Sequence, residues 1–136
     1  MPDIRVDLRW TGTGLEFEGG PSGGVRVRLD GNSRSAISPM QAMLLSLVGC
    51  TAADIVDILT KMRVPLDGLE VVAEGDRAPE PPRRYVRIRL VYRVHVPEDA
   101  REKVKRAVAL SHEKYCSVLH TLRPDVVVET DIELVQ

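Results

Sequence analysis

Aromatic side chains make up only 4% of this 136-residue chain, with one Trp, one Phe and three Tyr, too few to supply the stacking surfaces that grip unpaired bases. A formal net charge of -1 removes the long-range pull toward nucleic acid or anionic membrane that a basic protein exerts. Cysteine is equally scarce. Cys50 and Cys116 stand far apart with no CxxC pair or clustered His/Cys spacing, so they cannot build a four-ligand structural zinc site by themselves. The opening MPDIRVDL has no basic-then-apolar leader, and the apolar run from Met40 to Ala53 is broken by Asp54 short of a membrane span. These absences predict a soluble cytoplasmic protein in a reducing compartment, where a disulfide is transient rather than structural. No repeat or low-complexity segment is found.

What the chain does have is the composition of a folded protein, 43% hydrophobic and 29% charged, and a length that suits one domain over 1–136. Its longest coherent stretch is Ser38 to Arg63, SPMQAMLLSLVGCTAADIVDILTKMR. Ser38 suits an N-cap, Pro39 the first helical position, and Val64-Pro65 a stop, giving about seven turns of helix. At 100° per residue, Leu45, Val48, Ala52, Ile55 and Leu59 fall opposite Cys50, whereas Met43, Ser46, Leu47, Asp54 and Asp57 share its face. The wheel predicts a cysteine on the more polar face of a core helix.

Around that helix the periodicity is mostly that of strands. Ile4, Val6, Leu8 and Trp10 alternate with Arg5, Asp7 and Arg9; Leu15–Glu18 and Val25–Leu29 follow across glycine-rich turns. The turn GGPSGG lacks a lysine and leads into a strand, not the context of a phosphate loop. A strand from Leu69 to Arg77 precedes a proline cluster, and Arg84–Val96 alternates most clearly, its arginines expected to pair across strands with Glu70, Glu74, Glu129, Asp131 and Glu133. Pro97-Glu98-Asp99 opens an amphipathic helix burying Val104, Ala107, Val108 and Leu110; a short helix from Cys116 to Leu122 and a strand after Pro124 close the chain. The order β-β-β-α-β-β-α-α-β predicts an α+β fold with an antiparallel sheet on a long central helix. That helix has two sides to cover, so a homodimer is expected.

Either cysteine could be an inert buried thiol, because reactivity requires thiolate character and access. Cys116 at a helix start would have its thiol pKa lowered by free backbone N–H groups. His112 and Lys114 read as solvated helix-end residues, and nothing local supports a protease-like pairing of Cys50 with His112.

The text SPMQAMLLSLVGCTAADIVDIL, with LSHEKYCSV about 65 positions after the first cysteine, resembles the OsmC/Ohr family of thiol-dependent peroxidases, most closely its YhfA-like branch. The resemblance covers nearly the whole chain. It implies an intertwined α+β homodimer with two active sites at the subunit interface. It also implies that Cys50 attacks the peroxide, that Cys116 resolves the sulfenic acid to a disulfide, and that a dithiol reductant of the lipoyl type reopens it. No cofactor is implied. Met40, Met43, Leu44 and Leu47 would suit a small organic hydroperoxide. In the family an arginine, held by a glutamate ten positions before the first cysteine, supplies positive charge; here that position is Met40. Arg34 is the candidate cation, and Asp54 or Glu113 the candidate carboxylate. The same departure favours a rival reading, a non-catalytic dimer that binds a small apolar or oxidised molecule and keeps sensing or vestigial cysteines.

Overall fold

The computed structural model describes residues 2–136. They fall into two compact units, one ending at Met43 and one spanning Leu44–Gln136.

The first unit is a three-stranded antiparallel sheet, β1 (Val6–Trp10), β2 (Glu16–Pro21) and β3 (Val27–Asp30), in that spatial order. Trp10 sits opposite Phe17, and Phe17 opposite Leu29. β1 exposes its apolar residues, with Val6 68%, Leu8 58% and Trp10 58% accessible. The loop after β3 is gathered by Asp30, itself 3% exposed. Its Oδ1 accepts the Asn32 N–H at 2.8 Å, and its Oδ2 accepts those of Ser35 at 3.0 Å and Arg34 at 3.2 Å. Those bonds hold its carboxyl down at about 2, below the usual 3.8.

Helix α1 (Pro39–Lys61) begins in this unit and continues through the second. Its start is a reciprocal cap: the Gln41 N–H donates to Ser38 Oγ at 3.1 Å, and the Ser38 N–H donates to Gln41 Oε1 at 2.9 Å. Its end is a left-handed residue, Arg63 at φ 60°, after which the Val64 N–H donates to Leu59 O at 3.0 Å. By length and composition α1 could cross a membrane, which the position of Asp54 does not prevent. Leu47, Thr51, Ile55 and Leu59 are buried, as in the core helix of a folded protein. The buried stripe therefore recurs every fourth residue; Ile55 and Leu59 lie on the side the wheel assigns to the core, whereas Leu47, expected beside Cys50, is buried and Leu45, expected in the core, is 60% exposed. α1 is apolar around most of its circumference, so periodicity could not choose a side.

In the second unit β4 (Gly68–Arg77) pairs antiparallel with β5 (Tyr85–His95), and β6 (Val127–Val135) pairs with β5 in parallel. The expected single antiparallel sheet on one helix is thus corrected: the described residues form two three-stranded sheets, the second mixed, and the helical residues are shared among several elements. A connection carrying helices lies between β5 and β6 and returns the chain to the same end of the sheet, which parallel pairing requires. A 3₁₀ turn (Glu98–Ala100), α2 (Arg101–Leu110), a π-helical turn (Ser111–Tyr115) and α3 (Ser117–Thr121) make up that connection. Ile88, Leu90, Tyr92 and Val94 of β5 are all essentially inaccessible. On the wet face the arginines pair as expected. Arg89 reaches Asp131 at 2.6 Å and Glu74 at 3.1 Å, Arg93 reaches Glu133 and Glu70, and Arg87 pairs with Glu129.

Candidate functional site

Within the second unit, α1 and the turn that follows α2 bring the two cysteines together. Cys50 Sγ, Cys116 Sγ and a carboxylate oxygen of Asp54 lie within 4.8 Å of one another. Asp54 is one turn beyond Cys50 on α1, so the helix repeat alone stacks these two. Cys116 arrives by the π-helical turn, whose wider ring lets the Cys116 N–H donate to Ser111 O at 2.8 Å. Ser111 is fully buried, and its hydroxyl donates to Asp54 Oδ2 at 2.9 Å. One residue thus fixes both the cysteine backbone and the carboxylate.

The two thiols differ in their surroundings. Cys50 is half-buried, whereas Cys116 is inaccessible. Cys116 caps α3, and its sulfur accepts the Leu119 N–H at 3.4 Å, as a helix start predicts. The lowering expected from that position is nevertheless overturned. Burial, together with the hydrogen bond and charge interaction with Cys50, pushes the Cys116 thiol up to about 11 from 9.0. A five-residue helix end cannot offset the loss of water.

A second polar group joins α1 and the π-helical turn to β5. The Tyr92 hydroxyl is 2.7 Å from His112 Nε2 and is also hydrogen-bonded to Thr51. Burial raises Tyr92 to about 12 and lowers His112, so both are neutral near pH 7. His112 is therefore not a solvated helix-end residue, although Lys114 is exposed and lies over the Tyr115 ring. Ser111, Thr51, Tyr92 and His112 were not legible as site residues. Ser111 carries no motif, and Tyr92 reads as one more inward residue of an alternating strand.

The other candidates are dispersed. Glu113 is exposed on the π-helical turn and makes no ion pair among the described residues; the carboxylate beside the sulfurs is Asp54. Leu47 is 1% exposed and Met43 41%, with Met40 half-buried. Arg34 belongs to the first unit, where its backbone N–H donates to Asp30 and its side chain is exposed. Asp54 also lines a cleft of about 330 Å³ whose apolar wall includes Ile58, Met62, Leu110 and Tyr115, so one carboxylate borders both the cleft and the sulfur pair.

A sequence model of the family described as OsmC-like protein matches residues 30–131. The chain belongs to the OsmC-like family. Its likeness to the protein YhfA of Escherichia coli K12 amounts to 38% identity over 133 residues, 97% of this chain and 98% of that one. Among solved structures, a hypothetical protein from Aquifex aeolicus VF5 shares this OsmC-like fold at 26% identity, with full coverage of both chains and a TM-score of 0.84. An organic hydroperoxide resistance protein, OsmC, from Legionella pneumophila superposes with a TM-score of 0.69 over 98% of each chain at 16% identity, a likeness of fold. Proteins that share this fold thus include ones named for organic hydroperoxide resistance, and the present chain holds two neighbouring cysteines.

Proposed function

We propose that this OsmC-like protein reduces small organic hydroperoxides through a two-cysteine cycle. The observation that carries the reading is the approach of the Cys50 and Cys116 sulfurs, within 4.8 Å, close enough that a modest movement forms the bond of about 2.05 Å. Cys50 is the attacking residue because it is the accessible one; Cys116, pushed up to about 11 by burial and by Cys50, stays protonated at pH 7. Cys50 thiolate attacks one peroxide oxygen, the O–O bond breaks, and the alkoxide leaves as an alcohol after taking a proton. The resulting Cys50 sulfenic acid is attacked by the Cys116 sulfur. The Cys116 proton passes by way of Asp54 to the departing hydroxyl, which leaves as water, and a disulfide remains. A dithiol of the lipoyl type then reduces it by exchange. The cleft beside Asp54 has the size and apolar wall to take the organic substituent.

The proposal includes a homodimer working in the cytoplasm. Each unit exposes apolar side chains, Leu8 and Trp10 in the first and Leu45 and Val56 in the second, which a second copy would cover. The rival reading, a non-catalytic dimer that binds a small apolar or oxidised molecule, is favoured by one observation: among the described residues no basic side chain is ion-paired with Asp54.

The test is to mix the reduced protein with cumene hydroperoxide and follow thiols and intact mass. Loss of two thiols per chain with a decrease of about 2 Da, abolished in Cys50→Ser, is the expected result. Thiols that stay reduced under conditions that oxidise free cysteine would establish the rival.

A further inference from the structure

The two sulfurs and the carboxylate also have the composition of a metal site. We propose that reduced Cys50, Cys116 and Asp54 bind one soft divalent ion of the zinc or cadmium class, leaving its fourth position open. Thiolates select such ions over magnesium or calcium. Zinc–sulfur bonds of about 2.3 Å at a tetrahedral angle place two thiolates roughly 3.8 Å apart. The three ligand atoms already lie within 4.8 Å, so a contraction on the order of 1 Å closes the site around zinc, and less is needed for the larger cadmium ion.

The surrounding bonds are those that orient metal ligands. Fully buried Ser111 holds Asp54 through Oδ2. The sulfur of Cys116 accepts a backbone N–H from Leu119, which stabilises a thiolate when the ion displaces the proton. The two cysteines cannot by themselves build a four-ligand structural site; with Asp54 they make three ligands with an exchangeable fourth, the arrangement of sites that take up and release an ion.

The ion takes both sulfurs as thiolates, so affinity rises with pH. Disulfide formation would remove both sulfur ligands and expel the ion, making its release a consequence of oxidation. Binding itself needs no peroxide and does not rest on the peroxidase reading.

The experiment is anaerobic titration of the reduced full-length protein with Cd²⁺, followed by ultraviolet sulfur-to-cadmium charge-transfer absorption and by calorimetry. One ion per chain is expected, with the band lost in Cys50→Ser and Cys116→Ser and affinity reduced about 10- to 100-fold in Ser111→Ala. Wild-type protein alkylated at accessible Cys50 serves as a second control should Cys116→Ser fail to fold; it should also lose the band. Absence of the band in reduced wild type, or its survival in Cys50→Ser or after alkylation, would overturn the proposal.

Discussion

Cys116 shows how burial can outweigh a favourable hydrogen bond. The Leu119 N–H favours the thiolate, but exclusion of water and the neighbouring Cys50 raise the thiol from 9.0 to about 11, while Tyr92 rises from 10.0 to about 12. Both groups are acids whose neutral form the fold prefers. Their contribution to stability is therefore complete below their unfolded values and is lost as pH rises through their folded values. The urea midpoint of the reduced protein should fall between pH 9 and 12. In Cys116→Ser the part of that fall between pH 9 and 11 should shrink. An identical alkaline profile in the two proteins would show that Cys116 titrates in the folded state as it does in the unfolded one. Ser111→Ala removes the hydroxyl that donates to the Asp54 carboxylate: loss of that hydrogen bond should cost about 1.5–3 kcal/mol, read from the urea midpoint at pH 7.

At the scale of the element, the start of α1 and the limits of β5 were written plainly, and the buried side of α1 only in part. Ser38, Pro39 and Gln41 specify a capped beginning in the residues themselves, and strict alternation places β5 to within a residue at each end. Alternation carries no direction, so it could not reveal that β6 runs parallel to β5. Nor does SHEKY hold a Gly or Pro to signal the π-helical turn that delivers Cys116. The cysteine pair was legible through resemblance, and Asp54 through its place one turn on. Ser111 and Tyr92 needed the assembled chain because they become polar partners only after burial. The loop before α1 yields a second pH prediction. Asp30 is held at about 2, below its unfolded value, so its contribution is present above about pH 4 and disappears as pH falls through 2. Asp30→Asn should be less stable than wild type at pH 6 and should lose less on acidification. A parallel fall of the two thermal midpoints from pH 5 to 2 would remove Asp30 from the account of acid stability.

For the whole molecule, the decisive quantity is apolar surface left open. Val6, Leu8 and Trp10 alternate along an edge strand and are each more than half exposed, while Leu45 on α1 is 60% exposed. Isolated apolar side chains on a surface are ordinary; a row of three on one face of an edge strand is the kind of surface that monomers avoid and interfaces use. Burying a leucine side chain between two copies contributes about 1.5–3 kcal/mol, and a homodimer with two-fold symmetry buries each such residue twice. Leu8→Glu would instead place two charges in the interface, so its effect should greatly exceed that of Leu8→Ala. Sedimentation velocity at micromolar concentration should give wild type near twice the 15.1 kDa chain mass, with Leu8→Glu shifted to monomer and Asp57→Ala, at an exposed ion pair with Lys61, left as wild type. A monomeric wild type across that concentration range would sink the dimer. Thiol oxidation measured on the same samples would then show whether the cysteine pair works within a single chain.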